Sequence, residues 1–302
     1  MNELIRVLPA IADALAHGRP VVALESSVLA QGLPIPQNRA AAEQMVRAVE
    51  GGGAVAAITA VVNGTPTIGL TPPQLERFLG RDGVRKVSAR DLAPAIANGD
   101  DGATTVAATL SLASQAGIEV FATGGIGGVH RDSPYDESAD LAELSRTPMI
   151  VVCAGAKSIL DLGATWERLE SHGVPVVGYR TSELPGFFTA QTGIPLDTRA
   201  DDAERIVKIW RAHRALGRTQ ALLVVQPPPA AYALDARAVE NAVAEAQTLA
   251  RREGVVGAKV TPYLLSAVTR LTKGTSLDAN LALLEQNASL AGRIATMCAE
   301  SA

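Results

Sequence analysis

Aromatic side chains make up only 3% of this 302-residue sequence, so its core has to be filled by Ala, Val, Leu and Ile. Cysteine is nearly absent. Cys153 and Cys298 are the only two, and their separation gives neither a disulfide framework nor a zinc-ligand spacing. Cys153 sits in the apolar run Met149-Ile150-Val151-Val152-Cys153-Ala154 and reads as a buried thiol in a strand. No apolar run reaches membrane-spanning length. The N-terminal MNELIRVLPAIADALAHG carries an acid early and reads as an amphipathic helix rather than a secretion signal, so a cytoplasmic location is expected. Basic charge is not in excess either: 27 Lys and Arg against 31 Asp and Glu give a net charge of −4. That balance argues against a broad nucleic-acid surface, while leaving room for a small anion pocket. Lysine is scarce within the basic set: Lys86, Lys157, Lys208, Lys259 and Lys273 are all there are.

What the sequence does have is alternation. Short β-branched runs at Val21–Glu25, Val55–Val62, Ile118–Thr123, Met149–Ala154, Val174–Tyr179 and Ala221–Val225 read as strands. Between and after them, Gln37–Glu50, Pro73–Leu79, Thr104–Gln115, Lys157–His172, Asp202–Leu216, Ala236–Arg252 and Leu277–Glu300 read as helices. This order predicts an α/β fold, a three-layer α/β/α arrangement around a largely parallel, mixed central sheet. Asn63-Gly64 is a hairpin-type turn and adds a local antiparallel pair. Pro227-Pro228-Pro229 ends a strand abruptly. No repeat and no linker divides the chain, so residues 1–302 are expected to form a single domain.

Five segments could carry chemistry. Glu25 closes an apolar strand in Ala23-Leu24-Glu25-Ser26-Ser27. In open α/β sheets ligands bind beyond the carboxyl ends of strands, so Glu25 reads either as a general acid or base or as a solvated strand end. Thr123-Gly124-Gly125-Ile126-Gly127-Gly128-Val129-His130-Arg131 is neither a dinucleotide fingerprint nor a Walker loop. Its glycine density predicts a loop whose amides approach a phosphate, with His130 and Arg131 as charged donors. Asp132, Asp136, Glu137 and Asp140 are four acids in nine residues, which suits either a hard divalent cation or a helix N-terminus. Lys157, in Ala154-Gly155-Ala156-Lys157-Ser158, falls at a strand-to-helix turn. A lysine in a first helical turn is disfavoured by the dipole, which would lower its pKa toward a neutral, nucleophilic amine; the alternative is a lysine that reaches solvent. Lys86 supplies a second cation at another junction, or another solvated end.

Taken together the segments resemble the pseudouridine-5'-phosphate glycosidase family, also described as indigoidine synthase A-like. The matching stretches are ALESSVLAQGLPIPQN, KVSARDL, FATGGIGGVHR, ESADLAEL, TPMIVVCAGAKSILDLGAT, GVPVVGYRTSELPGFF, TPYLLSAV and GTSLDANLALLEQNA. They cover nearly the whole chain in the family's order. The resemblance implies reversible cleavage of pseudouridine 5'-phosphate to uracil and ribose 5-phosphate through a lysine Schiff base. It makes Lys157 the nucleophile and Glu25 the proton donor. It also implies that Lys86, Val106, Thr123, His130, Ser138, Ala139, Asp140 and Asn280 line the substrate site, and that Asp136 binds one Mn2+ per subunit. A cytoplasmic homotrimer with no nucleic-acid or membrane partner completes the expectation. Phe188 and Gln286 depart from the family pattern and bear on base specificity. Two other functions fit the same residues: a Schiff-base lyase or aldolase acting on another sugar phosphate, and a non-catalytic accessory protein of pigment biosynthesis.

Overall fold

Runs rich in Val and Ile, buried along their whole length, form the centre of the sheet. Strands covered on both faces need no polar alternation. The computed structural model describes residues 3–131 and 135–300, apart from the side chain of Ala258. The N-terminal half contains β1 (Arg6–Val7), α1 (Pro9–Ala16), β2 (Val21–Glu25), α2 (Gln37–Gly51), β3 (Val55–Val62), β4 (Thr65–Ile68), α3 (Pro72–Gly80), β5 (Val84–Val87), α4 (Leu92–Asn98), β6 (Asp101–Thr104), α5 (Val106–Gln115) and β7 (Val120–Ala122). There follow β8 (Val129–His130), α6 (Ala139–Leu144), β9 (Ile150–Cys153), β10 (Leu160–Asp161), α7 (Leu162–Ser171), β11 (Val176–Tyr179) and β12 (Arg199–Ala200). The remainder comprises α8 (Ala203–Ala215), β13 (Leu222–Val225), α9 (Ala236–Arg252), α10 (Val260–Leu271) and α11 (Thr275–Glu300).

Eleven strands form one sheet in the order β1-β4-β3-β2-β7-β9-β13-β11-β12, with β6 also paired to β3 and β5 paired to β6. All pairs are parallel except β3 with β4 and β3 with β6, so the sheet is mixed but mainly parallel, as expected. The β3–β4 hairpin turns at Asn63 and Gly64, both at positive φ, which is what a two-residue primed turn demands. Parallel crossovers are right-handed. The steps β2 to β3 and β11 to β13 run the same way along the sheet, which puts α2 and α8 on one face. The step β9 to β11 runs the other way and puts α7 on the opposite face. The last helix, α11, packs against α2 and α8 and crosses β2, β7 and β9. One apolar cluster runs from Ile5 to Ala295 and includes every residue of β9 and β13.

The structure corrects the sequence reading in one place that matters for chemistry. The helix expected from Lys157 begins only at Leu162, capped by Asp161. Lys157 lies instead in a turn closed by the Leu160 amide on the Lys157 carbonyl (3.0 Å), followed by the short strand β10, which pairs antiparallel with β8. The dipole argument for Lys157 therefore falls away. α4 and α10 are absent from the sequence reading, whereas α6 matches the helix-terminus alternative for the acidic run. α4 is short, and α10 carries Pro262 in its first turn, where proline is tolerated but breaks the helical pattern as read.

Candidate active site

Three neighbouring parallel strands, β2, β7 and β9, end side by side. Their carboxyl ends carry, in turn, Glu25, the loop from Thr123, and the turn to Lys157. A cleft of about 560 Å3 opens there. Every site residue implied by the family resemblance lines it: Glu25, Lys86, Val106, Thr123, His130, Asp136, Ser138, Ala139, Asp140, Lys157 and Asn280. The chain contributes these from eight separate places in its length, so the convergence is a product of the fold.

Glu25 is buried, and each of its oxygens accepts one hydroxyl hydrogen bond at 2.5 Å, Oε1 from Thr123 and Oε2 from Ser27. The two bonds fix the plane of the carboxylate. The Lys157 ammonium donates to the Gly125 carbonyl (2.6 Å), and the Lys157 backbone N–H donates to the Ile126 carbonyl (3.1 Å), so the glycine loop holds the lysine at both ends. Lys86, on β5, is half-buried. Burial pushes its pKa down, the nearby charge of Lys157 pushes the same way, and Glu25 and Asp140 oppose both. The site thus holds two amines and two carboxylates close enough to feel one another. Asn280, on α11, is buried with its Oδ1 unpaired among the described residues, which leaves an acceptor for a ligand.

The glycine loop also serves packing. None of Gly124, Gly125, Gly127 and Gly128 needs a positive φ; they are small because neighbours are close. A Cβ on Gly125 would meet the Phe187 ring at 2.6 Å, and one on Gly127 would meet Ser138 at 2.2 Å. The amides of Ile126, Gly127, Val129 and His130 are already bonded to Gly155 O, Asp140 Oδ2, Thr165 Oγ1 and Asp136 O. These four do not form an open anion nest. Arg131 is likewise not a charged donor to the cleft. Its guanidinium binds Glu240 and the carbonyls of Ser158 and Leu160, on a second, more open cleft.

Among the described residues the acidic run does not gather into a cage. Asp132 lies outside the described residues. Glu137 pairs with Arg168 at 2.9 Å. Asp140 accepts the amides of Ala107 (2.9 Å) and Gly127 (2.8 Å), while Ser138 caps α6, so the helix-terminus reading holds for this part. Among the described residues no three His, Cys, Asp or Glu side chains come together as a metal site. Asp136 is exposed and lines the cleft. One carboxylate suits a hard cation that keeps most of its waters and leans on substrate phosphate; it does not suit an all-protein site.

Several residues of the cleft carried no role in the sequence reading. Ser27 stood in a quoted motif, but its bond to Glu25 depends on a backbone turn that the sequence does not reveal. Phe187, Thr261, Pro262 and Leu265 also line the cleft, the last three because α10 covers one side. Of the two departures noted, Phe188 is buried and Gln286 donates to the Pro227 carbonyl at 3.0 Å. Neither lines the cleft.

Among curated proteins the chain is 62% identical over 295 residues to a pseudouridine-5'-phosphate glycosidase of Gemmatimonas aurantiaca, covering 98% of this chain and 96% of the relative. It is 50% identical over 303 residues to the protein of that name from Herpetosiphon aurantiacus, covering 100% of each. Among solved structures it resembles the prealnumycin C-glycosynthase AlnA in complex with ribulose 5-phosphate. The TM-score is 0.92 and the identity 41%, over 100% of this chain and 99% of that one. It also resembles an indigoidine synthase A-like protein of Thermotoga maritima, with TM-score 0.90 and 34% identity over 98% of this chain and 96% of that one. Residues 10–297 match the family described as indigoidine synthase A like protein, and with relatives this similar along its length the chain belongs to that family.

Proposed function

We propose that this protein cleaves the C-glycosidic bond of pseudouridine 5'-phosphate reversibly, giving uracil and ribose 5-phosphate. The observation that carries the reading is the convergence of Lys157 and Glu25 at the ends of β9 and β2, in one cleft with Lys86, on a scaffold whose relatives bear that name.

The bond explains the residue set. An ordinary glycosidase protonates a leaving heteroatom with one of two carboxyl groups. Here the leaving atom is carbon and offers no lone pair. In this reading the neutral amine of Lys157 attacks the anomeric carbon, and the ring oxygen leaves with a proton. The nitrogen lone pair then forms the iminium as the bond to the base breaks, and the base carbon takes a proton from Glu25. Water releases ribose 5-phosphate from the imine. The hydroxyls of Ser27 and Thr123 orient Glu25 for that proton. Lys86 faces the phosphate or sugar oxygens, with Val106, His130, Ser138, Ala139, Asp140 and Asn280 shaping the remaining walls.

One divalent cation, Mn2+ in the family's pattern, is assigned to Asp136, where it would offset substrate phosphate charge. A cytoplasmic homotrimer belongs to the same reading; light scattering of the purified protein measures the assembly. No helix among the described residues is long and apolar enough to cross a membrane.

The deciding assay follows uracil release from pseudouridine 5'-phosphate, with and without manganese. Wild-type protein is expected to release uracil, and Lys157→Ala to lose at least about 1,000-fold in kcat. Borohydride with ribose 5-phosphate is expected to leave an adduct on Lys157. A fully active Lys157→Ala protein overturns the mechanism, and a wild-type protein that turns over only another phosphosugar replaces it with a Schiff-base lyase or aldolase. Similarity to a protein named a C-glycosynthase favours one further arm: ribose 5-phosphate offered with aglycones other than uracil.

A further inference from the structure

Lys157 is not braced by a helix, which leaves open what holds its turn in place. Its inner side is bonded to the glycine loop through Gly125 and Ile126. Its outer side is bonded to Arg131. The Arg131 Nε donates to the Leu160 carbonyl at 3.0 Å and Nη2 to the Ser158 carbonyl at 3.1 Å. The same guanidinium meets Glu240 on α9, Nη1 with Oε1 at 2.5 Å and Nη2 with Oε2 at 3.0 Å. Its side chain is only 21% exposed, whereas Glu240 is a surface residue. Arg131 also follows directly on β8, whose His130 pairs with Leu160 and lines the catalytic cleft. One planar group therefore ties together the strand carrying His130, the turn carrying Lys157 and the helix α9.

We propose that Arg131 is a positioning residue for the reaction, clamping the carbonyls of Ser158 and Leu160 so that the Lys157 amine is held at its working place. The inference rests on Lys157 being the nucleophile. The chemistry calls for arginine because its fork can donate along several directions at once, two to carbonyls and two to a carboxylate. An ammonium is a point charge and cannot span them. Because Arg131 lies off the cleft, its loss should slow the chemical step without weakening substrate binding. A displacement of about 1 Å at a reacting group can cost on the order of 100-fold in rate.

The test compares wild type, Arg131→Met and Arg131→Lys for uracil release from pseudouridine 5'-phosphate and for the rate of borohydride trapping at Lys157 with ribose 5-phosphate. Arg131→Met is expected to lose roughly 10- to 100-fold in kcat, with KM within about twofold and with trapping slowed in parallel. Arg131→Lys should not restore the rate. A raised KM at full kcat would make Arg131 a substrate phosphate ligand and overturn the proposal, as would wild-type kinetics in either variant. If Arg131→Met does not fold, as thermal melting would show, Arg131→Lys decides alone: reduced kcat at constant KM supports the clamp, and full kcat ends it. Wild-type uracil release tests the reaction itself, separately from the variant-to-wild-type ratios. A wild-type protein giving neither uracil nor adduct would remove both the reaction and the clamp that serves it.

Discussion

Lys86 shows how a single buried charge shapes both stability and chemistry. Burial and the neighbouring Lys157 depress its pKa below the usual 10.5, against the pull of Glu25 and Asp140. A base with a lowered folded-state pKa destabilises the fold while it is charged. That cost is fully present below the folded pKa, and it disappears as pH rises from there to the unfolded value, because the unfolded chain binds the extra proton in that window. Lys86→Met is therefore expected to melt higher than wild type at pH 7, with the advantage shrinking toward pH 10.5. A constant or growing difference would contradict the assignment. At Cys153, burial in the core pushes the thiol up to about 12, which keeps it protonated, in line with the structural role read from its apolar strand.

At the scale of elements, the proposed catalytic groups depend on a loop and a turn, neither of which could hold itself. The loop after β7 is anchored from behind by α11. The buried side chain of Asn287 donates to the carbonyls of Thr123 (2.8 Å) and Gly124 (3.3 Å), and accepts from Gln226, just past β13, at 2.9 Å. Thr123 in turn holds Glu25, so a polar chain runs from the far side of the sheet to the proposed acid. Asn287→Leu would strand the Thr123 carbonyl and the Gln226 amide without partners, each unmet group costing about 1–3 kcal/mol, while the Gly124 carbonyl keeps the Ala154 amide at 2.9 Å. Urea unfolding should show a loss of roughly 2 kcal/mol or more, and a loss under about 0.5 kcal/mol would mean that water replaces the network.

Across the whole molecule, the long helix α11 reaches both its partner helix α2 and the central strands, and this requires a close crossing. A Cβ on Gly292 would sit 2.6 Å from the Val49 carbonyl oxygen, and one on Gly52 would sit 2.8 Å from the backbone of Gly292 and Arg293. Backbone cannot step aside as a flexible side chain can, so Gly292→Ala must shift one helix. Overpacking of this kind costs about 1–3 kcal/mol, and it should appear as a lower urea midpoint. Because α11 also carries Asn280 and Asn287, a partial loss of activity at temperatures where the protein stays folded is expected alongside.

Much of this was open to reading in the linear chain. The six anticipated strands all form, because β-branched runs buried on both faces can hardly be anything else, and the alternation with helices required a mainly parallel sheet. Glu25 at a strand end and the glycines after β7 were visible as residue types in suggestive places. Lys157 was visible too, but the physical reason first attached to it was not the one the fold provides: a helix dipole was expected, and a turn held by Gly125, Ile126 and Arg131 is found. Glycine density points to amides facing an anion; the fold adds that Gly125 and Gly127 let Phe187 and Ser138 approach and that the Gly127 amide is already bonded to Asp140. Such assignments turn on contacts that local pattern does not show, 32 residues apart for Lys157 and Gly125, and elsewhere in the site on contacts over 100 residues apart, as between Arg131 and Glu240 or Asn287 and Thr123. By itself, then, the sequence determined the class of fold, because burial period is a local property of the chain. Which polar groups meet, and which of them are already satisfied, was decided only by the tertiary structure, because hydrogen bonds depend on distances that local pattern does not contain.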